Sequence, residues 1–338
     1  MDTAFVTGAT GFIGRHIVEA IRGRGREVRC LVRSPSRADH LRRQGIELVT
    51  GSLEDVGGWA QRLAGCDTVF HAGGLVAARR RSELFAINGR AVGRLAAACA
   101  ALPNPPTFVH VSSLAAAGPT TTAAARAEHE PPAPVSRYGR SKREGEAELE
   151  RLAAGLPITV LRPGIVFGPH DRNVTQIFQM IHASRLHLLM GFHDPRLSLI
   201  HAADLATLAL AAADRGERLA ADAAADPCGR GFYHACDDSE HPTYSELGRR
   251  IAAGLGRSVI VLPLPLLLAL PTSCAVEAFW NLLGQASIVS PDKLREAIAP
   301  SWAASGRKAR EQLGFTPAAK LDERLRETAD WMQTSRRL

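Results

Sequence analysis

The stretch "AFVTGATGFIGRHIVEAIRGRG" (4–25) constrains the fold more than any other part of the chain. A short apolar run passes directly into Gly8, Gly11 and Gly14, and an amphipathic segment follows. That order reads as buried strand, tight turn and helix. The first half keeps alternating in the same way. Strands are expected at 4–8, 27–33, 46–51, 67–73, 106–113 and 158–164, with helices at 12–24, 35–44, 55–64, 82–102 and 137–154. Strand–helix alternation implies a parallel sheet covered on both faces and joined by right-handed crossovers. The expected class is therefore α/β, a doubly wound, Rossmann-type parallel sheet. After Gly168 the pattern loosens. The segments 204–214, 243–256 and 307–335 read as mainly helical, 231–237 as one more strand, and 115–136 as a long Ala/Thr/Pro-rich loop.

The glycines have separate physical uses. Gly8 permits the turn, Gly11 lets backbone approach a pyrophosphate, and Gly14 lets the helix pack closely on the sheet. The helix N-terminus, with Thr10, Phe12 and Ile13 beside these glycines, then turns its N–H groups and positive dipole end towards phosphate. A dinucleotide site is expected. At the end of the second strand, "CLVRSPSRADHL" offers Arg33, Ser34 and Arg37 where a carboxylate would bind a plain ribose. Guanidinium suits a 2′-phosphate, so NADP(H) is expected ahead of NAD(H), which stays possible.

The chain holds four lysines against 37 arginines, and one of the four, Lys142, lies four residues after Tyr138 in "YGRSK". Four residues apart on a helix is one face. A nearby ammonium would favour phenolate and lower a phenol pKa that is otherwise near 10. The fifth strand ends in Ser112 and Ser113 at the sheet edge where doubly wound folds bind ligands. Ser113 could donate to a carbonyl oxygen while Tyr138 delivers a proton.

With "TGATGFIG" (7–14), "VFHAGG" (69–74), "VSSLAAAG" (111–118), "YGRSK" (138–142), "LRPGIVFGP" (161–169), "RLSLIHAADLA" (196–206) and "LGFTP" (313–317), the chain resembles the extended short-chain dehydrogenases/reductases over nearly its whole length. The resemblance lies within the epimerase/dehydratase superfamily, nearest in flavour to dihydroflavonol reductases and 3β-hydroxysteroid dehydrogenases. It implies a dinucleotide-binding domain over 1–168, with a return segment near 197–215, and a smaller, mainly substrate-binding domain over 169–338. It also implies Ser113 as the catalytic hydroxyl, since that residue lies 25 before Tyr138 with Gly118 five beyond it. Ser112 is left to bond backbone. By the same resemblance Tyr138 is the acid/base, and Lys142 its electrostatic partner and ribose anchor. Ala72, Gly73 and Gly74 match the segment beneath the cofactor, Pro163, Gly164, Ile165 and Val166 the one flanking the nicotinamide, and Asn88 a structural asparagine. One position departs from the pattern: Ser52, followed by Leu53, stands where an aspartate usually meets adenine, which implies a weaker contact there.

The substrate is expected to be small and fairly apolar, a ketone or secondary alcohol, because "SSLAAAG" lacks the acidic pair of sugar dehydratases. The leucine- and proline-rich segment 259–284 could line an apolar pocket, lie against a membrane surface, or serve core or dimer packing; its most apolar stretch, 259–271, is too short and proline-broken for a membrane span. Two other readings stand beside this one. A nucleotide-sugar epimerase with tightly bound NAD could use Asn173 and Arg196 on phosphates, and a cofactor-sensing protein could have lost the chemistry.

Composition excludes several classes. The net charge of +7 is scattered, and Arg79-Arg80-Arg81 lacks interleaved aromatics, so no nucleic-acid partner is expected. The six cysteines, Cys30, Cys66, Cys99, Cys228, Cys236 and Cys274, are far apart, and no Cys/His cluster has zinc-like spacing. No metal site, disulfide or transmembrane segment is expected; a cytoplasmic homodimer is. His71, His110 and His201 are read as structural, and Asp204 as capping or orienting its helix.

Overall fold

The computed structural model describes residues 2–222, 229–287 and 289–338; Cys228 and the side chain of Arg37 lie outside the described residues. Seven strands form one parallel sheet: β1 (Thr3–Thr7), β2 (Glu27–Val32), β3 (Glu47–Thr50), β4 (Thr68–His71), β5 (Thr107–Val111), β6 (Ile158–Pro163) and β11 (Phe232–Ala235). Their order is β11-β6-β5-β4-β1-β2-β3. The direction of winding reverses between β1 and β4, the switch point at which this fold class binds ligands. Three parallel pairs lie outside that sheet: β7 (Ile165–Phe167) with β10 (Leu199–His201), β8 (Leu186–Met190) with β12 (Ile260–Leu264), and β9 (Arg196–Leu197) with β13 (Ser301–Trp302).

Alternation along each strand builds two cores. Val6, Phe70, Val109, Leu161 and Tyr233 face α1 (Phe12–Gly23), α8 (Ala202–Arg215) and α12 (Arg307–Leu313). Phe5, Val69, Phe108 and Ile158 point the other way, towards Val92 and Leu95 of α4 (Ala91–Ala100) and Leu149 of α6 (Arg137–Glu150). Runs such as FVHV are apolar on both faces because both are covered. A third cluster joins α7 (Thr175–Ser184), α9 (Tyr244–Gly254) and α13 (Leu321–Thr334) through Phe178, Ile181, Leu247, Ile251 and Leu325. Asp204 belongs to that junction. It accepts from Arg324 at 2.6 Å and from the Ala318 amide at 3.1 Å, while the cap of α8 is His201.

Three expected helices differ. Over 55–64 only a 3₁₀ turn forms, at Ala60–Leu63, because Gly57 and Gly58 precede it and Trp59 instead stacks on Phe5 at 5.5 Å. The run 35–44 divides into a 3₁₀ turn at Pro35–Ala38 and the short α2 (Asp39–Arg43). The helix expected at 82–102 exists as α3 (Arg81–Phe85) and α4, with a π-turn at Ala86–Arg90 between them.

One buried ion pair locks α6 to the sheet. Glu146 is fully buried and accepts from Arg162 Nε and Nη2 at 2.9 and 2.8 Å, and from Ser112 Oγ at 2.6 Å. Arg162 also lies over the Phe232 ring, 4.2 Å from its centroid. Removing one member of a buried pair strands the other charge without water. Glu146→Ala is expected to cost about 3–5 kcal/mol of stability, read as a lowered urea midpoint; a midpoint equal to wild type would show that the pair does not hold the helix.

Candidate active site

At the switch point, Gly8 has φ of +74°, a left-handed conformation, and a Cβ there would come within 2.7 Å of Ala72 and Gly73 backbone. A Cβ on Gly14 would lie 2.1 Å from the Gly8 carbonyl oxygen. Neither position accepts a side chain. Gly11 N–H donates to Gly8 O at 2.8 Å, closing the turn. Gly11 is the N-cap of α1, with no side-chain cap and no acidic residue in the first turn. Thr10 and Gly11 are exposed, with Phe12 and Ile13 half-buried beside them. This helix end is short of hydrogen-bond acceptors and carries the positive end of its dipole, so it fits a pyrophosphate.

Arg33 is exposed and Ser34 half-buried just beyond β2, and Ser34 Oγ lies 3.0 Å from Ser36 Oγ. The Ser52 hydroxyl is turned into its own loop, accepting from Glu54 N–H at 3.0 Å. Leu53 lies over Gly73, where a Cβ would meet Leu53 Cδ1 at 2.9 Å. The Ala72-Gly73-Gly74 segment is fixed from both sides. Gly73 N–H donates to Thr7 Oγ1 at 3.3 Å, and Asn88 clamps Leu75 N–H and C=O, each at 2.8 Å. Asn88 also donates to Ser141 Oγ at 3.0 Å, tying that segment to α6.

Ser113 caps α5 (Leu114–Ala117), its Oγ accepting from Ala115 N–H at 3.1 Å. That leaves the hydroxyl proton to donate on the cleft side, towards Tyr138. Ser112 points the opposite way, to Glu146, so its partner is a carboxylate rather than the expected backbone group. Tyr138 and Lys142 occupy the first two turns of α6, which starts at Ser136, whose Oγ accepts from Gly139 N–H at 2.8 Å. Lys142 is buried and donates to Val111 O at 2.7 Å. A Cβ added at Gly74 would lie 3.9 Å from its Nζ, so the ammonium sits beside the glycine segment.

Burial pulls the Lys142 pKa down to about 8, opposed by the Glu146 carboxylate one turn further along the helix. Burial likewise pushes the Tyr138 phenol up to about 12; a hydrogen bond with Ser113 opposes the rise and the charge of Glu296 adds to it. The lowering of the phenol by Lys142, expected from spacing alone, is not what the structure has. Desolvation dominates, and the Lys142 nitrogen is directed at the Val111 carbonyl.

Ser113 and Tyr138 open on a cleft of about 390 Å³, walled by Ile165, Val166, Leu189, Met190, Leu197 and Trp302, with Pro163 and Gly164 at its floor. Sequence reasoning missed its two charged members. Lys293 and Glu296, on α11 (Pro291–Ala297), pair at 2.7 Å, and Lys293 Nζ lies over the Tyr138 ring at 4.4 Å. Asp292 latches the same helix to α6, accepting from Arg137 N–H at 2.8 and 2.9 Å. The scarcity of lysine was the available signal, since two of the four lie here. Asn173 lies at the cleft, whereas Arg196 is exposed and donates to His241 O at 3.2 Å.

His71 and His110 form a buried stack at 5.2 Å, with His71 Nδ1 2.6 Å from Thr7 Oγ1. Burial, helped by the charge of Lys142, holds His71 at about 3 and His110 well below the usual imidazole range, so neither competes with that lysine for charge. His201 Nδ1 accepts from Ala203 N–H at 3.4 Å.

Comparison with known proteins identifies the family. The chain is 28% identical over 330 residues to a ceramide reductase of Caulobacter vibrioides, covering 98% of this chain and 94% of that one. A putative dihydroflavonol 4-reductase of Synechocystis is 31% identical over 222 residues, 64% of each chain. The fold superposes on a Thermus thermophilus UDP-glucose 4-epimerase solved with NAD, with a TM-score of 0.75, 21% identity and coverage of 98% and 99%. Residues 4–223 match the model of the NAD dependent epimerase/dehydratase family. The chain belongs to that family and is an enzyme of the NAD(P)-dependent oxidoreductase type.

Proposed function

We propose that the protein is an NADP(H)-dependent reductase that converts a fairly apolar ketone to a secondary alcohol. The observation that carries this reading is the cleft, whose walls beside Ser113 and Tyr138 are apolar and whose two charged side chains neutralise each other. A nucleotide-sugar would need cations free to meet its phosphates, and Arg196 is directed at a backbone carbonyl instead. The names of the two reductase relatives point the same way.

The N-terminus of α1, with Gly8, Thr10, Gly11 and Gly14, would hold the pyrophosphate. Arg33 and Ser34 would take the 2′-phosphate, Ser52 and Leu53 the adenine side, and Ala72, Gly73 and Gly74 the ground beneath. Lys142 would hold the nicotinamide ribose, and Pro163, Gly164, Ile165 and Val166 would flank the ring. Bound NADPH supplies the hydride that adds to the carbonyl carbon. Ser113 donates a hydrogen bond to the carbonyl oxygen, orienting it and stabilising its developing charge. Tyr138 transfers its phenolic proton to that oxygen. A phenol held at about 12 is protonated throughout the neutral range, which suits a proton donor. Lys142⁺, beside the glycine segment, would keep the nicotinamide ribose in place while the proton moves.

Tyr138→Phe should leave NADPH binding, measured by fluorescence titration, close to wild type. Its kcat should fall about 10²–10⁴-fold; retained turnover would remove Tyr138 from the mechanism. Above pH 8 an increasing share of Lys142 loses its proton. Reductive kcat/KM should therefore be level between pH 6 and 7.5 and decline through about 8, and a profile still rising at pH 9 would contradict this assignment. Arg33→Ser should raise KM for NADPH by roughly 10- to 100-fold while sparing NADH, since one charge-assisted contact contributes about 1.5–3 kcal/mol. An equal change in both constants would place the 2′-phosphate elsewhere.

A further inference from the structure

α10 (Leu266–Leu282) has 17 residues, one charge (Glu277), and only Ala269 and Ser273 buried. Leu267 and Leu282 are each 85% exposed, and Leu268, Leu270, Phe279 and Leu283 are more than half exposed. Isolated exposed leucines are common, but six large apolar side chains on one helix and its exit form a contact surface. The surface continues past Leu266, which lies against Gly191, to Phe192, 79% exposed, and to Ile260 and Leu262 on β12. The partner of β12 is β8, which supplies Leu189 and Met190 to the cleft. Patch and cleft therefore meet across one two-stranded sheet.

The rim of the patch identifies its occupant. Arg79 donates to Asn281 O at 3.5 Å, at the C-terminal end of α10, and Arg79, Arg80 and Arg81 all keep contact with solvent. Val76, three residues before this triplet, lines the cleft. An apolar helix edged by arginines matches the layering of an anionic bilayer surface, with acyl chains below and phosphates at the rim. Spanning is not available to it: no described helix is long and apolar enough to cross a membrane, and Pro271 sits inside this one. We propose that α10 lies in the surface of an anionic lipid membrane, with its leucines among the acyl chains and Arg79, Arg80 and Arg81 on headgroup phosphates, so that the cleft mouth faces the membrane.

The test is flotation of the full chain with vesicles of phosphatidylcholine alone or mixed equally with phosphatidylglycerol. It needs no turnover, so its result is separate from that of the reaction proposed above. The protein should float with the anionic vesicles, less so in high salt, and scarcely with the neutral ones. Leu267→Glu/Leu282→Glu should abolish flotation, and Arg79→Ser/Arg80→Ser/Arg81→Ser should weaken it on the order of 100-fold. Both variants should keep the wild-type unfolding midpoint, since the altered side chains are not buried; a variant that unfolds early is replaced by single changes at Leu267 and Arg80. Three results would overturn the proposal: no flotation of the wild type, equal flotation of the leucine variant, or a wild-type dimer in light scattering that Leu267→Glu/Leu282→Glu converts to monomer.

Discussion

The carboxylate of Glu146 governs where the reacting groups stand. It is fully enclosed and takes three hydrogen bonds, two from Arg162 on β6 and one from Ser112 beyond β5. A buried charge tolerates little displacement from its donors, because a lost partner is not replaced by water. Tyr138, Lys142 and Glu146 succeed one another every four residues on α6, so fixing the third fixes the rotation of the other two. Two glycines let the helix come close enough for this. A Cβ on Gly139 would lie 2.2 Å from Ala115 O, and one on Gly145 2.2 Å from Asn88 O. The same Asn88 clamps the segment after β4. Helix, glycine segment and fifth-strand edge are thus one rigid frame around the cleft.

Electrostatics within that frame set the resting protonation state of both reacting groups. Burial acts on both titratable groups, raising the phenol to about 12 and lowering the ammonium to about 8. Each shift favours the neutral form. For Tyr138 the neutral form is the one a proton donor needs, and Glu296 reinforces it. For Lys142 the cationic form is needed, and Glu146 opposes its loss. One carboxylate therefore positions the helix and helps keep its lysine charged. Lys293 over the Tyr138 ring is paired with Glu296, which leaves the cleft close to neutral and suited to a ligand with little charge.

Much of this was legible in the sequence because the signals are local. The glycine turn, the six apolar strand runs and the Tyr–Lys spacing each lie within a single element or its boundary. The family resemblance singled out Ser113 over Ser112, and the two hydroxyls do lie on opposite sides, Ser112 on Glu146 and Ser113 at the cleft. The missed groups depend on chain segments far apart. Glu146 was one glutamate among several on a charged helix until Arg162 was brought beneath it. Lys293 and Glu296 reach Tyr138 from about 155 residues away, through the Asp292 latch. The rise of the phenol pKa was also out of reach, since spacing reports the neighbouring charge and not the loss of water. The false helix at 55–64 followed apolar periodicity, which cannot register that Trp59 gains more by stacking on Phe5.

The apolar segment 259–284 left pocket lining, membrane contact and core or dimer packing open as sequence, and its exposed placement removes core packing. β12 and α10 turn most of their large side chains to solvent, while β8 behind them turns Leu189 and Met190 to the cleft. Exposed leucine and phenylalanine carry a hydration cost of about 25 cal/mol per Å² that a folded chain ordinarily avoids. Keeping such a surface next to a cleft with apolar walls is consistent with a ligand that is scarce in water and concentrated in lipid. Such a ligand would cross from acyl chains to cleft wall without exposing its apolar surface. On the proposed membrane, the Arg79–Arg81 rim would set orientation by placing guanidinium on phosphate with leucine below it.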